Sequence, residues 1–224
     1  SGAGVAFDGN GFSATVTNST ISGNATANVA NIFGGGIASF AGTFNLRHST
    51  VTLNSAPTGQ GSGLATFSTG TDTSRTNVFS SLVSGNINSD VDNVVAATQT
   101  PNITSLGFNL IGTGNLMNRF VGSGDQSGNA DPGLLPLAAN GGATLTHALQ
   151  STSPAIDAGD TTSAQTFDQR GAGFPRLIGT QVDIGAYEAA TPANLSISPL
   201  DASKVEGDAG VTSFTFTVSR SGNT

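Results

Sequence analysis

The stretch Asn18-Ser19-Thr20-Ile21-Ser22-Gly23-Asn24 returns as His48-Ser49-Thr50-Val51-Thr52-Leu53-Asn54 and again as Ser80-Ser81-Leu82-Val83-Ser84-Gly85-Asn86. A weaker fourth copy runs Phe108-Asn109-Leu110-Ile111-Gly112-Thr113-Gly114-Asn115. Aligned on Ser19, Ser49, Ser81 and Asn109, the copies recur at steps of 30, 32 and 28 residues. Self-similarity at this period marks structural units stacked one on the next.

The residues before each copy give the shape of the unit. Phe12, Ala14 and Val16 alternate with polar residues, the period of a half-buried strand. After Asn18 the phase slips by one, and Ser19 and Ile21 take the inward positions. Phe44 and Leu46 followed by Ser49, Val51 and Leu53 repeat the slip, as do Thr76 and Val78 followed by Ser81 and Val83. A slip at a fixed place predicts two short strands joined by a bend. A third element lies upstream, at Gly2-Ala3-Gly4-Val5-Ala6-Phe7, Gly34-Gly35-Gly36-Ile37-Ala38-Ser39-Phe40 and Gly61-Ser62-Gly63-Leu64-Ala65-Thr66-Phe67. Its glycines supply the positive φ of a tight corner. Three strands and three corners per repeat make one coil of a parallel β-helix. Asn24, Asn54 and Asn86 then fall at one place in successive coils, where stacked amides form a structural hydrogen-bonded ladder.

GGGIASF, a strand and NSTISGN together resemble the right-handed parallel β-helix repeats of bacterial secreted and surface proteins. The handedness comes from that resemblance. The expected fold is all-β: coils over 1–115, a terminal coil and irregular cap over 116–188, a linker at 189–194 and a strand tail over 195–224.

Composition narrows the function. Of 224 residues 31 are glycine, charged residues are 9% against a usual ~25%, and net charge is −7 with Lys204 as the single lysine. No basic stripe exists for nucleic acid or for an anionic membrane surface. No apolar run approaches the ~20 residues that insert into a bilayer. The lack of cysteine excludes disulfides and thiol chemistry. The chain opens inside a Gly-rich corner and reads as a piece of a longer or processed protein.

Beyond the coils lie Ser153-Pro154-Ala155-Ile156-Asp157-Ala158-Gly159-Asp160, Asp168-Gln169-Arg170-Gly171, Pro175-Arg176 and Val182-Asp183-Ile184-Gly185-Ala186-Tyr187-Glu188. With Asn109-Leu110-Ile111-Gly112 and Leu145-Thr146-His147-Ala148-Leu149 this series resembles the choice-of-anchor Q domain, over roughly residues 1–188. The resemblance implies a β-helix end in a large exported bacterial protein, secreted or held at the cell surface, and supplies no catalytic residues. The job expected of the segment is to cover the open end of the stack, with Arg170 and Arg176 bound to carboxylates of Asp157, Asp160, Asp168 and Asp183.

In the tail, Val205-Glu206-Gly207-Asp208-Ala209-Gly210 and the alternating strand 213–220 resemble the opening of a Calx-β domain. That family is a β-sandwich in which some members bind calcium, and Glu206 matches a ligating glutamate. Only the opening strands of such a sandwich are present. Phe214, Phe216 and Val218 share one face and need a surface to cover them.

Candidate chemistry is sparse. Calcium is the one candidate cofactor, with Glu206 and Asp208 in the tail and Asp72, Asp90 and Asp92 in the coil loops. Arg47 and Arg75 stand at different places in the repeat and do not stack. Thr15 and Thr17 fall level with Asn45 and Arg47, then Asn77 and Phe79, so no threonine ladder forms. His48 sits at the bend and His147 in the cap, neither with a second zinc ligand nearby in sequence. The reading is a non-enzymatic structural or adhesive segment whose partners are itself, end to end, or surface glycans and proteins. The alternative is a carbohydrate-active β-helix enzyme, a polysaccharide lyase or glycoside hydrolase.

Overall fold

A computed structural model describes residues 4–26, 33–58, 60–69, 72–94, 102–162, 165–190, 194–200, 210–211 and 213–221. The chain divides into two units, Ser1–Ala189 and Ala190–Thr224. It is all-β, without an α-helix among the described residues.

The first unit begins with β1 (Val5–Thr17), β2 (Thr20–Ser22), β3 (Ile37–Arg47) and β4 (Thr50–Thr52). Then come β5 (Leu64–Thr66), β6 (Ser68–Thr69), β7 (Asp72–Phe79), β8 (Leu82–Val83), β9 (Val91–Asn93), β10 (Ile103–Ser105) and β11 (Leu110–Ile111). A 3-10 turn at Met117–Arg119 precedes β12 (Gln126–Ser127).

Successive repeats pair in parallel along three ladders. The first joins the start of β1 to the start of β3, then β5 and β9. The second joins the ends of β1 and β3 to β7 and β10. The third runs β2, β4, β8, β11 and β12. Register follows the repeat residue for residue: Thr15 opposes Asn45 and Asn45 opposes Asn77, while Ile21 opposes Val51 and Val51 opposes Val83.

The phase slip has a backbone cause. Asn18, His48, Ser80 and Phe108 have φ of 52°, 42°, 45° and 56°. One left-handed residue turns the chain between the second and third ladders and resets which side chains face inward. The bends stack too, since the Asn18, His48, Ser80 and Phe108 N–H groups donate to Arg47, Phe79, Gly107 and Ser123 carbonyls.

Inward-facing Ile37, Leu64 and Val91, Phe44, Leu46 and Val78, and Ile21, Val51, Val83 and Ile111 form one buried cluster. Leu116 and Phe120 join it beside Ile103 at the last rung. Phe12 departs from the expected alternation and is 75% exposed. The ladder of β1 breaks between Phe7 and Ser13, and the chain bulges outward there.

The glycine corners do two things. Gly34 and Gly61 have φ of 69° and 65°, as a tight corner requires. Gly4, Gly36 and Gly63 instead permit close stacking. A Cβ on Gly36 would lie 2.7 Å from the Gly63 carbonyl oxygen, and one on Gly63 would collide with the Asp90 carbonyl.

Residues 130–162 and 165–189, read from the sequence as covering an end of the stack, lie along the outer face of the third ladder from its first rung to its last. Thr20 donates to Gln169 Oε1 at 2.5 Å, the Ala186 N–H to Thr50 Oγ1 at 3.0 Å, and Gln126 Nε2 to the Pro154 carbonyl at 2.9 Å. Leu82 and Leu110, outward-facing on the later rungs, pack with Leu149, Ala155 and Ile184 in a second apolar cluster.

The second unit is an antiparallel hairpin of β13 (Asn194–Pro199) and β14 (Phe216–Ser221). Phe214 precedes β14 rather than lying within it.

Candidate functional site

Two polar columns run through the stack beside the core. In the first, Asn24 Nδ2 donates to Asn54 Oδ1, Asn54 Nδ2 to Asn86 Oδ1, and Asn86 Nδ2 to Asp90 Oδ1, at 2.9, 2.9 and 2.8 Å. The backbone N–H of each asparagine donates to the same oxygen as its amide. In the second, the Ser19 and Ser49 N–H groups donate to the next serine hydroxyl, and the Ser81 N–H to Asn109 Oδ1. Asn109 donates in turn to Asp125 Oδ1 through its N–H and its amide, both at 3.0 Å.

Two of the coil-loop carboxylates considered for calcium are therefore engaged. Asp90 ends the asparagine column, and its other oxygen accepts the Thr113 N–H at 2.7 Å. Burial outweighs these hydrogen bonds and raises its pKa. Asp92 accepts Ser89 Oγ at 2.6 Å and the Asn115 N–H at 2.9 Å. Asp72 pairs antiparallel with Thr69 through β6 and β7. Its side chain lies outside the described residues, as do Glu206 and Asp208. Among the described residues no three His, Cys, Asp or Glu side chains gather as a metal would require.

The flanking segment holds the charged cluster. Arg170 grips Asp168, Nη2 to Oδ2 at 2.6 Å and Nε to both oxygens. Its guanidinium lies 4.2 Å from the Phe174 ring centroid and 3.9 Å from that of Tyr187. Arg176, 1% exposed, differs from expectation. It donates through Nη2 to the Asp183 and Gly185 carbonyls, and its Nε and Nη1 have no hydrogen-bond partner. The carboxylates serve backbone N–H groups: Asp157 those of Thr180 and Gln181, Asp183 those of Asp157 and Ala189. Asp160 accepts the Thr162 hydroxyl. Glu188, fully buried and not singled out in the sequence, accepts the Ile178 and Asp183 N–H groups. Burial first, and the Asp183 charge second, push Glu188 up to about 8. Burial also raises Asp183 and lowers Arg176.

Among the described residues are two concave surfaces. A cavity of about 370 Å³ lies between the third-ladder corner at Leu53 and Gly85 and the segment from Ala130 to Pro136, with His147 on its wall. His147 is a structural tie. Its Nδ1 donates to the Leu135 carbonyl at 2.7 Å, which fixes the tautomer, and Nε2 accepts the Ser22 hydroxyl at 2.8 Å.

The other is a cleft of about 280 Å³ on the outer face of the second ladder, lined by Asn10, Phe12, Ser13, Thr43 and Arg75. Arg75 and Arg47 share this face but, as read from the sequence, stand at different places in the repeat and do not stack. Arg75 opposes Thr43 and Arg47 opposes Phe79, four residues further along. Arg47 lies 5.3 Å over the Phe79 ring, whereas Arg75 has no ion-pair or ring partner among the described residues. The dipeptides around Asn10 in Asp8-Gly9-Asn10-Gly11 signal the bulge behind this cleft, and the repeat alignment passed over it.

In the hairpin unit Ile197 opposes Val218 and Pro199 opposes Phe216, so these side chains share a face. Phe214, Phe216 and Val218 are 50%, 55% and 59% exposed. Comparison of the chain with family models, curated proteins and solved structures found no match.

Proposed function

We propose that residues 4–189 form a right-handed parallel β-helix of the choice-of-anchor Q kind, a non-catalytic structural and adhesive segment of a secreted or cell-surface bacterial protein. The hairpin unit opens a Calx-β-like domain in this reading. One observation carries it: Asp90, Asp92, Asp125, Asp157, Asp168, Asp183 and Glu188 are all used as acceptors for the chain's own donors. A glycoside hydrolase needs two carboxyl groups facing each other across a substrate. None of the described residues lining the cleft at Arg75 is acidic.

The test is a reducing-end and unsaturated-product assay of the full chain across neutral and acidic glycans. No turnover is expected. Product that disappears in Arg75→Ala supports the lyase instead. The same reading has the chain associating end to end through the apolar hairpin face. Light scattering of the full chain beside one ending at Glu188 checks this, and equal association of the two removes the hairpin from assembly.

A further inference from the structure

Arg75 projects from the second ladder into a cleft of about 280 Å³, at the lower end of ligand-site volumes, which start near ~300 Å³. The β1 bulge builds one wall. Gly11 and Gly42, with φ of 78° and 77°, let the bulge cross close over β3, and a Cβ on Gly42 would meet the Phe12 carbonyl at 2.6 Å. The bulge holds the Phe12 ring in solvent beside the cleft. Its floor is a row of side chains on adjacent rungs, Ser13 against Thr43 and Thr43 against Arg75.

In a chain of net charge −7, a guanidinium with no ion-pair partner among the described residues is a site for a ligand's anion. Asn10, Ser13 and Thr43 offer groups that both donate and accept, the requirement of a hydroxyl-rich ligand. An exposed aromatic ring offers its face to the C–H side of a sugar ring. Under the cleft the backbones of β3 and β7 pair with each other, so an extended peptide finds no strand there to pair with. We infer that the Phe12–Arg75 cleft binds a carboxylated sugar residue of an acidic polysaccharide, with Arg75 on the carboxylate, Phe12 against the ring, and Asn10, Ser13 and Thr43 on the hydroxyls. The inference rests on the adhesive reading and names its ligand class.

Calorimetry of the full chain at low salt tests it, with three probes: a galacturonic acid trimer, a neutral galactose trimer and a glutamate oligopeptide. The acid trimer binds, and the neutral trimer binds about tenfold more weakly. Arg75→Gln brings the acid trimer down to the neutral one. Phe12→Ala weakens both sugars, and Arg47→Gln changes neither by more than about twofold. Both cleft side chains are exposed, so thermal melting stays unchanged. Absence of heat from the acid trimer, equal binding by Arg75→Gln, or tighter binding of the oligopeptide each overturns the inference. None of these results bears on the structural role, which the product assay and the ladder substitutions below test separately.

Discussion

At the scale of single residues, the asparagine column shows how much one amide holds. Asn54 donates to the Ile21 and Thr52 carbonyls and to Asn86, and accepts from the N–H and amide of Asn24. Truncation leaves several buried polar groups unmade, each worth about 1–3 kcal/mol. Asn54→Ala should therefore lower stability by at least about 2 kcal/mol in urea unfolding. A loss under about 0.5 kcal/mol, typical of a surface change, would remove the column from the stability argument. Glu188 gives a second prediction. Its folded pKa near 8 lies above the ordinary 4.5, so the folded state holds more protons between these values. Its contribution is complete below about 4.5 and is lost as pH rises toward 8. Asp183 and Asp90 are also raised by burial and act in the same sense, with Asp183 and Arg176 the charged neighbours of Glu188. Urea midpoints should fall between pH 5 and 8.5, less steeply in Glu188→Gln. Midpoints that rise over that window contradict the assignment.

At the scale of elements, the corners are as specified as the strands. Gly63 needs no unusual φ, yet a methyl group there strikes the next rung and sits 2.7 Å from Asn86 Nδ2. Gly63→Ala should cost about 1–3 kcal/mol as an overpacked contact. Gly11→Ala, in open space at φ of 78°, carries only the left-handed backbone penalty of about 1–2 kcal/mol. Denaturation of the two variants should rank Gly63→Ala the more damaging, and the reverse order would contradict the stacking account. This difference also marks what could be read in the chain. The three ladders and their register were legible because parallel pairing keeps one residue type level with its copy, as at Thr15, Asn45 and Asn77. The flank was not, because its contacts join residues over a hundred positions apart without periodicity, such as Ser22 and His147. The cleft was hidden because a bulge breaks the alternation that placed Phe12 inside. Asp125-Gln126-Ser127-Gly128-Asn129 carries a shortened fifth copy that the spacing obscured, coming 16 residues after Asn109.

At the scale of the whole molecule, both columns end alike. One closes on Asp90 and the other on Asp125, and both aspartates accept at all their contacts. An amide receives a bond from one neighbour and hands one to the next, so a row of them has a direction, with its hydrogen-bearing end toward the later rungs. A carboxylate suits that positive end, as an anion suits the start of a helix. It also has no proton to hand on. Each row runs while asparagine or serine recurs and stops where aspartate arrives, the first at Asp90 although β11 and β12 stack beyond it, the second at Asp125. A tandem duplication that lengthened a row would propagate it only if the copied aspartate became asparagine, with the acid moved to the row's new end.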